Sequence, residues 1–117
     1  MSAQSLVMPS LLTDNASLVW EPFREGIEIH RLYDRGPNGT ASALLRYRAG
    51  ASLPAHDHVG VEHIVILSGS QVDERGVYGP GTLVINAPGT RHSVHAPDGC
   101  TVLVVWERPV AFVGNEP

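Results

Sequence analysis

Several features that define other classes of protein are scarce in this chain of 117 residues. Its single cysteine, Cys100, has no partner for an internal disulfide, which suits a reducing cytoplasm. Only 8 basic residues accompany 12 acidic ones, so the net charge of −4 predicts no cationic face for nucleic acid. No apolar run approaches the roughly 20 residues of a membrane span, and no signal peptide with a basic start is visible in residues 1–10. We therefore expect a cytoplasmic protein that binds neither nucleic acid nor membranes.

Turn-forming residues, by contrast, are abundant: 12 glycines and 9 prolines are spread along the chain. They separate short apolar or alternating segments typical of β-strands, and no convincing helical pattern or internal repeat is present. The predicted strands include residues 27–33, 40–48, 62–67, 82–86, 92–96 and 101–106. Short strands at nearly even spacing predict an all-β barrel or jelly roll, here a single domain of residues 18–113. Residues 1–17 are expected to form an N-terminal arm and residues 114–117 a C-terminal tail.

The stretch GASLPAHDHVGVEHIVILSG, residues 50–69, carries the most chemical information in the sequence. Side chains alternate along an extended strand, so His56 and His58 face the same side with their imidazoles close together. Gly60 offers a bend, and the apolar run that begins at Glu62 is typical of the next strand. If Glu62 faces inward, its carboxylate meets the two imidazoles across the turn. Two imidazole nitrogens and a carboxylate form a ligand set that divalent iron, manganese, nickel and zinc all accept.

The same stretch resembles the first sequence motif of the cupin superfamily, G-x5-H-x-H-x3-E-x6-G. The fixed positions of that motif are filled by Gly50, His56, His58, Glu62 and Gly69. The resemblance to single-domain RmlC-like cupins implies a double-stranded β-helix, the cupin jelly-roll barrel. It also implies one divalent metal ion per chain as the cofactor.

The second cupin motif, G-x5-P-x-G-x2-H-x3-N, is matched in part. Gly81, Gly89 and His92 occupy their places, so the resemblance implies His92 as the fourth metal ligand. Ala87 stands where the motif has proline, and Ala96 replaces its asparagine. The path of the loop before His92 is therefore less predictable than the ligand position itself.

The order of four shorter motifs indicates a resemblance to one particular group within the cupin superfamily. Four segments within residues 18–106 look like the cupin domain of ChrR-type zinc-binding anti-sigma factors: WEPFREGIE, DERGVY, PGTRH and GC. In those regulators a separate N-terminal helical domain grips the sigma factor, whereas about 17 residues precede the predicted barrel here. Sigma-factor sequestration is therefore not implied by the resemblance. Similar stand-alone cupins include small dioxygenases that cleave diketones and related carbonyl compounds.

Two functions from different classes follow from these patterns. The first is a small metalloenzyme, dioxygenase-like, that acts on an anionic or enolisable small organic molecule. Octahedral iron, manganese or nickel with four protein ligands would keep two open positions, which leaves room for such a substrate and dioxygen. The alternative is a non-catalytic metal-binding sensor or regulatory module, because tetrahedral zinc with four protein ligands is closed.

Three further residues are candidates for the surroundings of the site. Arg46 is a candidate anchor for the negative charge of a substrate, and Tyr47, the next residue, is a second candidate for contact with a substrate or a ligand. Arg91 directly precedes His92 and is a candidate rim residue. The remaining histidines are expected to lie outside the ligand set: His30, His63 and His95.

Residues 63–67 and 102–106 are apolar on both faces of their predicted strands. A small barrel by itself should show polar side chains on its outside. Apolar outer faces predict contact with another sheet, and we expect a homodimer, because a second subunit often supplies that sheet. The alternative is that these apolar side chains are simply exposed to solvent.

Overall fold

The computed structural model describes residues 5–113, so the predicted C-terminal tail and the first four residues of the predicted arm lie outside the described residues. Within this range the chain forms β-strands and no helix, so no helix here is long and apolar enough to cross a membrane. The strands are β1 (Glu21–Arg24), β2 (Ile27–Asp34), β3 (Ala41–Tyr47), β4 (Ala51–Asp57), β5 (Glu62–Gly69), β6 (Gln71–Asp73), β7 (Gly76–Tyr78), β8 (Leu83–Asn86), β9 (Arg91–Ala96), β10 (Cys100–Trp106) and β11 (Ala111–Phe112).

The strands form two antiparallel sheets. One has the order β1-β2-β3-β10-β5-β8, and the other has the order β11-β4-β9-β6-β7. Neighbours in the sheets come from distant parts of the sequence, as when β10 lies between β3 and β5. Two antiparallel sheets joined in this crossed order confirm the predicted all-β, jelly-roll fold.

The core lies between the two sheets and is built by alternation along the strands. In β3, Ala43, Leu45 and Tyr47 point inward and are buried, as the sequence pattern predicts. Ile29 of β2 and Val102 of β10 flank them on the same face and are fully buried. These inward side chains form one apolar cluster, and the candidate ligands lie at one end of it.

One close approach at a strand end requires glycine. Gly69, at the end of β5, has a φ of +73°, in the left-handed region that side chains with a Cβ rarely adopt. A Cβ at this position would lie 2.1 Å from the carbonyl oxygen of Gly99, on the turn that leads into β10. The last glycine of the first motif therefore allows β5 and β10 to pair up to their ends.

The segment before β1 covers part of the outer face of the six-stranded sheet. The carbonyl oxygen of Val19 lies 2.8 Å from Nδ1 of His30 in β2, and the guanidinium of Arg46 stacks over the Trp20 ring at 4.3 Å. Further along the same face, side chains remain exposed or half-buried. We call this region the outer apolar face; it consists of Val65, Leu83, Ile85, Leu103 and Val105.

Candidate metal centre

The fold brings four chemically matched side chains to one point between the sheets. His56 lies in β4 and His58 just beyond its end, Glu62 begins β5, and His92 lies in β9. All four are buried, with at most 4% of their surface exposed. One ligand atom from each lies within 4.8 Å of the others. Glu62 belongs to the six-stranded sheet and His56 and His92 to the five-stranded sheet, so the group spans both layers.

A β-bulge in β4 aims His56 into this group. The pairing of β4 with β9 shifts register between Leu53 and His56, and both of these residues are buried although two residues separate them. A bulge adds one residue on one strand and thereby changes which side chains face inward. The Pro54 carbonyl oxygen inside the bulge accepts a hydrogen bond from Nδ1 of His56 at 2.8 Å.

The tautomers of the three histidines follow from their neighbours. Each Nδ1 faces an oxygen: the Pro54 carbonyl for His56, the Thr90 carbonyl for His58 at 3.1 Å, and Oδ2 of Asp73 for His92 at 3.0 Å. A carbonyl or carboxylate oxygen can only accept a hydrogen bond, so the Nδ1 atom that faces it must be the protonated nitrogen of the ring. The Nε2 atoms are therefore unprotonated in the neutral rings and present lone pairs to the common point.

Two of these Nε2 atoms are buried without a hydrogen-bond donor, those of His58 and His92. Nε2 of His58 is 3.0 Å from Oε1 of Glu62, and Nε2 of His92 is 4.0 Å from the same oxygen, yet neither pair has hydrogen-bond geometry. Acceptors that converge without a donor are costly to bury. A divalent cation at the common point would accept all of these lone pairs, so the residues present fit such an ion.

Glu62 is held by two donors. The Asn86 amide Nδ2 donates to Oε1 at 2.9 Å, and the Trp106 indole Nε1 donates to Oε2 at 2.7 Å. Burial would raise the pKa of Glu62, but the nearby His58 and His56 rings, which attract the carboxylate whenever they are protonated, and the hydrogen bond from the Asn86 amide outweigh burial and hold the pKa below its usual value. Burial also lowers the pKa of His56, which favours the neutral ring. The group therefore combines an ionised Glu62 carboxylate with a neutral His56 ring.

His92 is oriented by a carboxylate behind it. Although burial opposes ionisation of Asp73, the hydrogen bonds from His92, Tyr78 and Arg75 lower its pKa to about 2. The Tyr78 hydroxyl donates to Oδ1 of Asp73 at 2.7 Å, and the backbone N–H of Arg75 donates to the same oxygen at 2.8 Å. A carboxylate that accepts the distal N–H of a ligating histidine fixes the ring and raises its basicity toward a metal.

The supporting residues Asp73, Asn86, Thr90 and Trp106 were not among the candidates from the sequence. Asn86 offered one signal, since it ends the apolar strand β8 at an inward, buried position where a polar side chain needs a partner. That partner, Glu62, lies directly opposite Asn86 in the pairing of β5 with β8. The other three residues show their role only through contacts between distant segments.

The sequence candidates around the site lie in three different places. Tyr47 is buried and lines the cavity beside the ligands, where burial, with the charges of Cys100 and Glu62, raises its pKa. Arg46 lies on the opposite face of β3, where its guanidinium pairs with Glu28. Arg91 forms an exposed ion pair with Asp57, with Nε and Oδ1 2.6 Å apart. The other described histidines lie outside the group of four: His30, His63 and His95.

The cavity that the ligands line is small. It has a volume of about 20 Å³, and half-exposed apolar side chains form part of its wall: Phe23, Trp106, Val110 and Phe112. The Phe112 ring lies 5.4 Å from the His56 ring, and the Arg24 guanidinium stacks on Phe112 at 3.8 Å. Such a volume accommodates about one water molecule, whereas sites for organic ligands usually measure roughly 300 Å³ or more.

Comparison with solved structures supports the fold. The chain superposes on the complex of SigE with the anti-sigma factor ChrR from Rhodobacter sphaeroides with a TM-score of 0.72 and 24% identity, covering 80% of this chain and 51% of that one. It thus spans about half of that chain. The chain superposes on an acetylacetone dioxygenase from Acinetobacter johnsonii with a TM-score of 0.79 and 18% identity, covering 98% of this chain and 81% of that one. It superposes on an RmlC-like cupin from Ralstonia eutropha with a TM-score of 0.76 and 19% identity, covering 87% of this chain and 71% of that one.

The sequence itself carries the family relationship. A search of curated proteins gives no significant match. The family model described as the ChrR Cupin-like domain matches residues 9–111, which include all four candidate ligands and every strand from β1 to β10. The chain therefore belongs to the ChrR cupin-like domain family.

Proposed function

We propose that this protein binds one divalent metal ion, iron, zinc, manganese or nickel, through His56, His58, Glu62 and His92. The observation that carries the proposal is the convergence of four buried ligand atoms within 4.8 Å, two of them nitrogens with no hydrogen-bond donor. Three neutral imidazoles and one carboxylate leave a divalent ion with a net charge near +1. When bound, such an ion supplies Lewis acidity toward an anionic ligand, and iron also supplies redox chemistry toward dioxygen.

We infer that the bound ion serves a sensing or regulatory role rather than turnover of a large substrate. The cavity beside the ligands, at about 20 Å³, has room for a water-sized molecule. Tyr47, Leu53 and Val94 fill the space around it, so an organic substrate would have to displace packed side chains. The likeness to ChrR, a protein solved in complex with a sigma factor, supports a role in regulation.

The second candidate function is a dioxygenase that acts on a small enolisable carbonyl compound. This alternative is favoured by the weakly paired segment that forms one wall of the cavity. Val110 and Phe112 belong to a short segment in which β11 has only two residues and pairs with β4 at Asp57 and His56. A segment held by so few backbone hydrogen bonds opens at low cost, and its opening would connect the ligands to solvent. The likeness to an acetylacetone dioxygenase supports this alternative.

One experiment separates the two functions. The protein is reconstituted anaerobically with iron, manganese, nickel and zinc separately, and oxygen uptake is measured against a library of diketones and hydroxy-carbonyl compounds. The sensing role predicts no uptake with any metal, and solvent-proton relaxation of the manganese form should report at most one exchangeable water. Uptake with the iron form, increased in Phe112→Ala, would instead establish the dioxygenase. Failure of every metal to bind would overturn both.

We also propose that the protein forms a homodimer through the outer apolar face. In the pairing of the sheet, Leu103 lies beside Val65 and Val65 beside Leu83. Leu83 and Ile85 are 56% and 53% exposed, so the apolar surface extends to the edge strand β8. The exposed His63 lies between Val105 and Ile85 on this face, so the continuous apolar row is the one through Leu103, Val65 and Leu83. An exposed apolar row of this kind is typical of a protein interface, and a second copy of the chain offers an identical, self-complementary face.

A further inference from the structure

The loop between β6 and β7 reaches the metal centre through one arginine. Nη2 of Arg75 donates to Oδ1 of Asn86 and lies 3.3 Å from Oδ2 of Asp73, to which it also donates. Asn86 in turn donates to Glu62, and Asp73 accepts from His92. The guanidinium thus joins the residue behind one candidate ligand to the residue behind another.

The hydrogen bond from Arg75 decides which way the Asn86 amide points. A side-chain amide has one acceptor end and one donor end, and the two differ little in shape. Because Arg75 has donors and no acceptor, only the amide oxygen can face it. The amide nitrogen must then face Oε1 of Glu62, at 2.9 Å. Without Arg75, a flipped amide would set its oxygen against the carboxylate, where two acceptors repel.

Arg75 also restrains the carboxylate behind His92. Both oxygens of Asp73 receive donors from this one residue, Oδ1 from its backbone N–H and Oδ2 from its guanidinium. Oδ2 is also the atom that accepts the Nδ1 proton of His92 at 3.0 Å. The rotation of the carboxylate, and with it the direction of the His92 ring, is therefore restrained by Arg75 together with the Tyr78 hydroxyl, which donates to Oδ1 at 2.7 Å.

We propose that Arg75 is a positioning residue for the metal centre: it holds Asn86 and Asp73 so that Glu62 and His92 direct their ligand atoms to one ion. The inference rests on the proposed metal binding at the four ligand residues. Arg75 belongs to neither cupin motif, and its side chain is 55% exposed, so it acts from the surface on a buried site. Partners behind metal ligands typically contribute 10–100-fold to metal affinity.

The test uses Arg75→Met, which keeps an unbranched side chain of similar reach and removes the donors. The matched control is Arg31→Met, because Arg31 is 53% exposed and pairs with Glu21 at 3.9 Å, in a strand outside the site. Cobalt(II) affinity is measured by chelator competition, and the visible absorption spectrum of the cobalt form reports the ligand geometry. We expect Arg75→Met to weaken cobalt binding about 10-fold or more and to shift the spectrum, with Arg31→Met unchanged.

A thermodynamic cycle distinguishes positioning from a general loss of stability. Since Arg75 acts through Asn86 and Asp73, Arg75→Met should cost much less affinity in an Asn86→Ala background than in the wild type. Arg75→Lys keeps the positive charge but lacks the planar guanidinium that donates to both acceptors, so it should show an intermediate cobalt affinity. If Arg75→Met does not fold, Arg75→Lys replaces it in the test. Wild-type affinity and spectrum in the Arg75 variants would overturn the inference. Absence of cobalt binding by the wild type would overturn the proposed metal site instead.

Discussion

Trp106 donates its indole N–H to Oε2 of Glu62 at 2.7 Å, and the two residues are direct partners in the pairing of β10 with β5. The second carboxylate oxygen of Glu62, Oε1, is the one nearest to His58 and His92. The indole therefore occupies Oε2, while Oε1 accepts one hydrogen bond from Nδ2 of Asn86 at 2.9 Å and keeps a second lone pair for the candidate ion. This division of the carboxylate makes Glu62 suited to bind a metal through a single oxygen.

Replacement of Trp106 by phenylalanine should destabilise the metal-free protein by about 1–3 kcal/mol, because a buried ionised oxygen loses its donor. Trp20→Phe is the matched control, since the Trp20 indole donates to a backbone carbonyl, that of Asn15, at 3.2 Å, from a half-buried position. Urea unfolding with EDTA present measures both. Equal effects of the two substitutions would contradict the role assigned to Trp106.

His92→Ala should lower the metal content of freshly purified protein from about one divalent ion per chain to near zero. The reason is that His92 supplies one of the four convergent ligand atoms. His95→Ala is the control, because His95 lies in the same strand but is exposed outside the group. Elemental analysis of the proteins gives the stoichiometry. Unchanged metal in His92→Ala, with binding elsewhere, would refute the assignment.

The stability of the protein should fall as the pH rises from about 9 to 12. Burial raises the pKa of the Cys100 thiol from 9.0 to about 12, so over this window the unfolded chain loses a proton that the folded protein keeps. That single group should remove about 1.4 kcal/mol of stability per pH unit within the window. Urea unfolding at pH 8 and pH 10 measures the change, with Cys100→Ala as the reference. A wild-type pH dependence no steeper than that of Cys100→Ala would contradict the prediction.

Leu103→Lys should convert the proposed homodimer into a monomer, because it buries an unpaired charge in the contact. Val77→Lys is the matched control, since Val77 is 71% exposed but lies in β7 of the other sheet. Light scattering at micromolar concentration gives the mass of each protein. A monomeric wild type would refute the homodimer, and an unaffected Leu103→Lys dimer would place its interface elsewhere.

The strands were predictable where alternation is regular. The predicted strand 27–33 corresponds to β2 (Ile27–Asp34), and 101–106 corresponds to β10 (Cys100–Trp106). In β2, buried and half-buried side chains alternate from Ile27 to His30, a period of two that the local sequence displays directly, whereas β10 was predictable from its continuous run of apolar residues. β11 was not predicted, because a strand of two residues is too short to show a period. β11 forms only through its pairing with β4.

The ligands were predictable for a different reason from their surroundings. His56, His58 and Glu62 are near neighbours in the sequence, so a local motif can encode their meeting. Asp73 and Asn86 reach the site only through contacts across the two sheets, which no local pattern describes. The bulge between Leu53 and His56 was also hidden, because the sequence does not show where a strand changes the face that it turns inward.

The ligand group spans both layers of the fold, with Glu62 in one sheet and His56 and His92 in the other. An ion bound there would act as a cross-link between layers that the chain must assemble from distant strands. The ligands meet only once both layers are in place, so the ion would stabilise the native state more than the transition state of folding. Metal would then slow unfolding and leave the rate of folding almost unchanged. The lifetime of the folded protein, rather than the speed at which it forms, would report the metal supply of the cell.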